Sequence, residues 1–536
     1  VTNSQNDVAD VAIVGYGPVG QLLAAMLGRR GHRVIVFERW PELYGRARAG
    51  HLDDEAMRII QSIGAADQIE MGAYRPPAYE FRNGEYELLM SLDWHRDGIS
   101  GWASDYFTYQ PDIEDAFTAQ VGMLPNVTVN MGYEVQNIVQ TDDDVEITAI
   151  RFERTANSVS DTGAETRTIR ARYVIGADGA NSSVRSHLGI AVTDLKFNEK
   201  WAVYDITPSA PLNLEFNDAQ ICDPVRPRCL FRIGDVRQRF EIMLRPGDDE
   251  KELVTPDGAW KFIDLFGVKR DQGELERMAV FEFRSLVATQ WRLGRVVLAG
   301  DSAHVMPPFL GQGLISGIRD AASLGWRLDL ILRGLASDRL LDTYQVEREP
   351  HVTEIIRQSV AAGQIACMTD PEAARQRDLA FWSGNVPAPP PFPALRDGAL
   401  ADPPDALTGT LAPQAKIERG GTSARFDEVY GGGWILLLRN AAEVQLSPED
   451  AVCFDALGGQ IIAVPDEEDT EGLYSAYFAD NELSAILYRP DFRIFGTAND
   501  DTQIPELIGR MRERLVSAGL NEETSASSFA EQGAQS

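Results

Sequence analysis

Cysteine is scarce. The 536 residues hold four, Cys222, Cys229, Cys367 and Cys453, widely spaced and without a C-x-x-C pair, and six histidines that form no cluster. That spacing argues against a disulfide framework or a structural zinc site, so no metal is expected. Long hydrophobic runs are missing too: no stretch of about 18 apolar residues exists, so no membrane span is expected. The opening "VTNSQNDVAD" has neither the basic nor the apolar region of a signal peptide, which points to a cytoplasmic protein. Positive charge is in short supply, with 50 Lys and Arg against 81 Asp and Glu and a net charge of −31. A phosphate backbone needs a basic surface, so nucleic acid is not an expected partner. The acidity describes a self-repelling, soluble surface and says little about a substrate. No internal repeat and no Ser-His-Asp arrangement is visible.

What is present starts at residue 10 with "DVAIVGYGPVGQLLAAMLGRRGHRVIVFER". Val11 to Val14 is the short apolar run of a buried parallel strand, and Val19 to Leu27 reads as a helix with one apolar face. Between them Gly15, Gly17 and Gly20 fit G-x-G-x-x-G, with Pro18 and Val19 filling the turn. The first glycine allows the tight turn, the second lets backbone approach a pyrophosphate, and the third lets helix and strand pack closely. The anion then rests on free N–H groups at the helix N-terminus. Arg33 to Phe37 reads as the next strand. It delivers Glu38, with Arg39 beside it, where a ribose hydroxyl needs an acceptor. Strand, glycines, helix, strand and acid in order make a dinucleotide-binding unit, but they do not name the dinucleotide.

A chain this long, with 44% hydrophobic residues, is expected to divide into two or three domains. "HLDDEAMRIIQSIG" reads as a helix, 78–109 as short aromatic-rich strands, and 111–122 as a helix with Pro111 near its start. From 195 to 290, "KWAVYDI", "RCLFRIG", "RFEIMLR" and "VFEFRSLVA" suggest an antiparallel sheet. An apolar strand, "RVVLAGDSAH", then leads to a helical stretch over 318–365. "NVPAPPPFPALRDGALADPPD" is the clearest linker, because its prolines favour extended chain. Strands and a closing helix beyond it form a separate small α/β unit, and the polar tail is expected to be disordered.

Two more turns bear on the cofactor. "ADGANSSVR" (177–185) and "GDSAHVMPPFLGQGLISGIRDA" (300–321) each put an Asp beside a Gly at a strand end. An Asp there accepts hydrogen bonds from sugar-like hydroxyls, and a Gly brings backbone N–H groups up to a flat ring. A nicotinamide dinucleotide needs no such distant third contact zone; the longer FAD does. The three segments resemble the motifs of the group A flavoprotein monooxygenases, the single-component aromatic hydroxylases. "GRARAGHLDDEAMRIIQSIG" and the 300–321 region are most similar to the 3-(3-hydroxyphenyl)propionate hydroxylase branch.

The resemblance spans about residues 10–365 through motifs and is weaker beyond 410. It implies an α/β fold: a Rossmann-like FAD-binding domain (8–80, 105–190 and 285–370) with an inserted antiparallel-sheet substrate domain (80–105 and 191–284). A Pro-rich linker (385–408), a thioredoxin-like C-terminal domain without redox cysteines (409–520) and a tail (521–536) complete it. Gly15, Gly17 and Gly20 would hold the FAD pyrophosphate and Glu38 the adenosine ribose. Arg46 and Arg48 would offset phosphate charge, and Gln110 would contact the flavin. Asp178 would lie near the flavin and the nicotinamide route, and Asp301 would bind the ribityl hydroxyls. The loop containing Pro308, Gly311 and Gly313 would run along the isoalloxazine, with Leu314 and Ile315 offering N–H groups that favour the anionic reduced flavin. Relatives commonly have Asn where this chain has Ile315.

The implied reaction inserts one oxygen atom of O2 into a phenolic ring through a flavin C4a-hydroperoxide, with NADH or NADPH as reductant. No second glycine fingerprint exists for the nicotinamide, which such enzymes bind only transiently, and neither form is favoured. A phenol is activated as its phenolate, which calls for a base. His51 and His304 are the candidates for acid–base work, although loop fixing is the simpler role for His304, and Pro308 is grouped with them at the reacting ring. His32, His95, His187 and His351 read as surface or packing residues. Trp201, Tyr204, Phe240, Met243 and Phe309 are candidate substrate-lining residues, with Arg228 or Arg232 as a partner for any substrate carboxylate. A homodimer is compatible with this reading. Three alternatives stand beside it: a tailoring hydroxylase of polycyclic natural products, a non-catalytic FAD-binding scaffold, and a plain nicotinamide dehydrogenase.

Overall fold

The computed structural model describes residues 8–151, 153–155, 158–160, 165–386 and 390–521. The polar tail from 522 onward and residues 387–389 of the Pro-rich segment lie outside it.

Five parallel strands run through the first sheet in the order Val296–Leu298, Thr166–Gly176, Ala9–Val14, Val34–Glu38 and Val127–Met131. Their centres are apolar on both faces, as a sheet covered on both sides requires. The antiparallel strands Tyr133–Gln140 and Val145–Arg151 extend it beside Thr166–Gly176. Parallel neighbours end at the same edge. Val14, Gly176 and Leu298 therefore deliver the glycine fingerprint, the Asp-Gly turn and the Gly-Asp turn to one place, although the turns are far apart in the chain. Glu38 ends the fourth strand there. A crevice outside the carboxyl ends of parallel strands is where open α/β sheets bind ligands.

Local chemistry fixes that edge. Gly15 has φ +106°, and a Cβ on it would lie 2.3 Å from the Ala177 carbonyl, so only glycine lets the first two turns touch. The helix Pro18–Arg29 packs on Gln312–Leu332 and Gln110–Gly122.

The second sheet is a wall of eight strands, antiparallel but for the pair Ala219–Ile221 and Ala78–Arg82. Its core strands are Val192–Pro208, Gly273–Ala288, Arg237–Met243 and Arg228–Ile233. Strand alternation gives it two different faces. Ala202, Tyr204, Ile206, Leu230 and Phe240 pack under the helix Pro256–Ile263. Trp201, Cys229 and Met243 point the other way, with Phe231, Phe283 and Phe309 against them.

Three elements differ from the sequence expectation. The helical stretch 318–365 is two helices, Gln312–Leu332 and Asp342–Ala366, separated by Gly334 in the left-handed region and a short 3-10 turn. The first begins at Gln312 because Gly311, at φ +65°, sets its N-terminus. In "HLDDEAMRIIQSIG", His51–Asp53 is a strand paired with Asp105–Phe107, and the helix starts at Asp54, capped by the Asp53 side chain. The described part of the Pro-rich segment is not loose: Leu395, Ala399 and Leu400 are buried, and the Ala399 N–H donates to Glu347.

Beyond it, a four-stranded sheet has the order Gln460–Ala463, Ile435–Leu438, Ala485–Tyr488, Ile494–Ala498, with helices Pro448–Ala456, Leu473–Asp480 and Ile504–Ala518. The first pair is parallel and the other two antiparallel. Among the described residues, no helix is long and apolar enough to cross a membrane.

Candidate active site

The shared strand edge opens into a cleft. Gly15, Gly17, Pro18 and Val19 line one end, with Glu38 and Arg39 beside them. The helix they lead into has no side-chain cap, and a Cβ on Gly17 would meet nothing within 4 Å. The turn thus offers free N–H groups to an anion with room to approach. Gly20 faces inward, where a Cβ would lie 2.1 Å from the Gly15 carbonyl, so it serves packing. The Glu38 carboxylate accepts the Tyr16 and Trp40 N–H groups at 2.8 and 3.0 Å and still borders the cleft.

Asp301, Gly313 and Leu314 line the cleft as well, and the Gly-Asp turn packs on the fingerprint helix, where a Cβ on Gly300 would lie 3.0 Å from Val19. Asp301 borders the cleft and accepts no hydrogen bond from the described residues. Gly313 and Leu314 occupy the first turn of a second helix without a side-chain cap, so their N–H groups have no partner within it. Ile315 is the exception to the expected set. It is fully buried, and helix geometry returns its N–H to the Gly311 carbonyl.

The remaining expected residues divide. Arg48 lines the cleft and stacks 4.4 Å from the Tyr44 ring, whereas Arg46 is exposed and not among the lining residues. Gln110 reaches the cleft but spends its amide on structure, accepting the Arg48 and Ala49 N–H groups at 2.9 Å each and donating to Glu114. Asp178 likewise borders the cleft while its carboxylate accepts from Ser182, Ser183 and Val184 at the start of the next helix. Pro308 and Gly311 form the turn before Gly313, outside the cleft proper.

Neither candidate histidine faces open space. His304 is buried with its Nε2 2.6 Å from Asp320, whose same oxygen accepts the Gly300 N–H, so His304 holds the Gly-Asp turn in place. His51 is also buried, its Nε2 2.9 Å from Asp105 and its Nδ1 3.4 Å from the Gly311 carbonyl, with Trp94 stacked at 5.2 Å. Burial alone would lower its pKa, but the hydrogen bond and charge of Asp105 outweigh it and raise the value. Both ring nitrogens are committed. His51 clamps the turn that starts the second helix.

On the wall, Trp201, Met243 and Phe309 lie together, with the Phe309 ring 5.8 Å from Trp201. Tyr204 and Phe240 are on the opposite face, under a helix, because they are one strand position out of phase. Arg228 pairs with Asp223 on that far side, and Arg232 stacks on Tyr74. The site-facing charges are instead Asp205, Arg239, Glu241 and Arg277. Arg239 grips Asp205 with two bonds of 2.7 and 2.9 Å and donates to the Ala47 and Arg48 carbonyls, tying the wall to the cleft loop. Glu241 is buried, and burial pushes its pKa up despite Arg239.

Sequence reading missed a buried ion network behind the cleft. Arg348 bonds Asp320 at 2.9 Å, and Arg319 bonds Glu55 at 2.7 Å and Asp53 at 2.5 Å. Arg489 joins Glu347 at 2.8 Å and Asp491 at 2.6 Å, which links the C-terminal sheet to the helix Asp342–Ala366. The acids and arginines are visible in the sequence, but apart from Arg489–Asp491 they pair across distances in the chain that no local pattern encodes.

Residues 8–359 match the family described as the FAD binding domain, and residues 409–514 match the HcaD C-terminal domain. The chain is 37% identical to the probable NADH-specific resorcinol 4-hydroxylase of Rhodococcus jostii (strain RHA1), over 95% of each chain. It is 30% identical to the 3-(3-hydroxy-phenyl)propionate/3-hydroxycinnamic acid hydroxylase of Escherichia coli (strain SMS-3-5 / SECEC), over 96% of this chain and 95% of that one. The crystal structure of the flavin-dependent monooxygenase PieE with FAD and substrate superposes with a TM-score of 0.76 at 21% identity, covering 96% of this chain and all of that one. The likeness to PieE establishes the fold. Cleft, wall and matches agree: the chain belongs to the FAD-binding-domain family of single-component flavin-dependent aromatic hydroxylases.

Proposed function

We propose that the protein hydroxylates a monocyclic phenol with O2 and NADH, holding FAD in the cleft and the phenol between the cleft and the wall sheet. The free Asp301 carboxylate carries the reading. It shares the cleft with two uncapped helix N-termini, a set of acceptor and donors that suits a ribityl chain joining a pyrophosphate to a flat ring. Gly15, Gly17, Pro18 and Val19 would take the pyrophosphate, Glu38 the ribose, and Gly313 and Leu314 the polar edge of the flavin. When bound, FAD supplies hydride acceptance and oxygen activation.

The chain's own residues then have three tasks. Phe309, Trp201 and Met243 keep water from the reacting ring, as an activated oxygen species requires. Gly313 and Leu314 would hold the polar edge of the flavin with their N–H groups, donors that would favour a negatively charged edge. Glu241 takes the phenol proton: its buried carboxyl sits on the site-facing side of the wall beside Arg239, and burial raises its pKa, which strengthens it as a base. NADH as the reductant rests on the Rhodococcus relative's specificity. The domain division follows the sheets, with 8–80, 105–190 and 285–370 for the flavin, 80–105 and 191–284 for the substrate, and 409–520 as a thioredoxin-like unit. That last assignment is supported by the β-α-β-α-β-β-α order from Ile435 onward and by the one parallel and two antiparallel pairings of its four-stranded sheet.

The test offers simple phenols to the purified yellow holoenzyme and follows NADH oxidation and products. A phenol that accelerates NADH oxidation and returns as a ring-hydroxylated product supports the proposal. Stimulated oxidation that yields hydrogen peroxide alone overturns it.

A further inference from the structure

The wall carries one charge that this reading does not use. Arg277 is 2% exposed, and none of its three guanidinium nitrogens has a hydrogen-bond partner among the described residues. A buried cation ordinarily has an anion or carbonyl beside it, because leaving it bare is costly. Asp205 lies directly across the strand pair, but both its oxygens are bonded to Arg239. Burial, then the charge of Arg239, lowers the Arg277 pKa, with Arg48 acting in the same direction. The rings of Phe281 and Tyr44, 5.0 and 5.7 Å away, attract the cation without accepting its N–H groups in the plane. Tyr44 and Arg48 also line the flavin cleft. Three arginines thus converge on two carboxylates, Asp205, whose oxygens are both taken by Arg239, and Glu241, which lies 3.8 Å from Arg239 and makes no hydrogen bond to Arg277, so the spot is one anion short and an oxyanion is what it lacks.

Position on the wall indicates which oxyanion. Residues 277, 279, 281 and 283 share the site-facing side of one strand, and Ala279, Phe281 and Phe283 are only half-buried. Ala279 pairs with Val203, so the middle of the face is low, with Trp201 opposite Phe281 at one end and Arg277 at the other. Two residues along a strand span about 7 Å. A ring resting on Ala279 and Val203 therefore puts a carboxylate on a short side chain within reach of Arg277. The phosphates of a nicotinamide dinucleotide are the other source of oxyanion, but they suit an open cradle of several donors better than one enclosed guanidinium.

We infer that Arg277 is a specificity-determining residue that binds the carboxylate of a phenolic substrate bearing one on a short side chain. The inference rests on the phenol-hydroxylase reading above. Its test titrates flavin absorbance in wild-type, Arg277→Met and Arg277→Lys holoenzymes with 3-(3-hydroxyphenyl)propionate and with resorcinol, alongside the KM for NADH. Loss of a charged hydrogen-bonded pair should weaken binding of the carboxylated phenol by about tenfold or more in Arg277→Met. Resorcinol binding and the NADH KM should be unchanged, and Arg277→Lys should recover part of the loss. The Met variant should melt no lower than wild type in the absence of substrate, because a bare buried charge has been removed; if it fails to hold flavin, the Lys variant carries the same comparison. Equal loss for both phenols, no loss for either, or a change confined to NADH overturns the inference. A wild type that oxygenates resorcinol yet does not bind the carboxylated phenol overturns it alone, whereas one that oxygenates no phenol removes the functional reading as well.

Discussion

Asp178 and Asp301 stand beside glycines at the ends of neighbouring parallel strands, and in sequence they look interchangeable. Their surroundings separate them. Asp178 accepts four hydrogen bonds from Ser182, Ser183 and Val184, so its carboxylate organises the next helix. Asp301 accepts none and borders the cleft. Asp301→Ala should therefore leave the melting temperature of the apoprotein unchanged while weakening FAD by about tenfold or more, the loss of charged hydrogen bonds to hydroxyls. Asp178→Ala should do the reverse, costing about 1 kcal/mol or more of stability, as cap removal does, with a smaller effect on FAD. Calorimetry and fluorescence titration of the two apoproteins check the pair. Glu241→Gln should lower the hydroxylation rate with FAD content intact. In wild type the rate should climb as pH rises through the elevated pKa of Glu241, since the base acts deprotonated, and that limb should disappear in the variant.

The helix Gln312–Leu332 does two jobs on one rigid axis. Its first turn presents Gly313 and Leu314 to the cleft, and two turns on Asp320 holds the Gly300 N–H and His304. The apolar strands and the glycine fingerprint were legible because period and turn chemistry are local. The start of this helix was not: "PPFLGQGLISG" lacks a capping Ser, Thr, Asp or Asn, and Gly311 begins the helix from the left-handed region instead. Histidine roles were illegible for a related reason. His51 and His304 are near the flavin loops, but which way a ring points depends on Asp105 and Asp320, which no spacing rule connects to them. Wall residues were half legible. Alternation implies two faces, and only the register Trp201–Met243 and Tyr204–Phe240 tells which pair faces the cleft. Gly311→Ala should be poorly tolerated, because a Cβ there would lie 2.6 Å from the His51 Nδ1 and φ is +65°. Flavin content of the purified variant, expected to fall well below wild type, measures it.

Across the whole molecule, several buried acids pair with arginines, and some of these pairs join different units. Arg58 grips Asp427 at 2.7 and 2.9 Å, and Arg489 grips Glu347 and Asp491. Burial alone would raise the pKa of Glu55, Asp320, Glu347 and Asp491, yet neighbouring cations hold all four below the ordinary carboxylate range. Groups with depressed folded pKa values contribute stability that is present above the unfolded value of about 4 and is lost as pH falls through the folded one. Acid unfolding should therefore be a single event in which flavin release and loss of the C-terminal unit coincide. Tryptophan and flavin fluorescence followed together from neutral to low pH report it, and two separated transitions would contradict it. Removing residues 387–536 would leave Arg58 and Glu347 short of partners, so the shortened chain should lose flavin even though every cleft residue remains.

The most direct measurement is a crystal structure of the protein grown with FAD. The pyrophosphate is expected at Gly15, Gly17 and Val19, the ribityl hydroxyls against Asp301, and the polar edge of the isoalloxazine on the N–H groups of Gly313 and Leu314. A flavin bound with Asp301 turned away from its ribityl chain, or with its ring remote from Gly313, would contradict the convergence on which every later step depends.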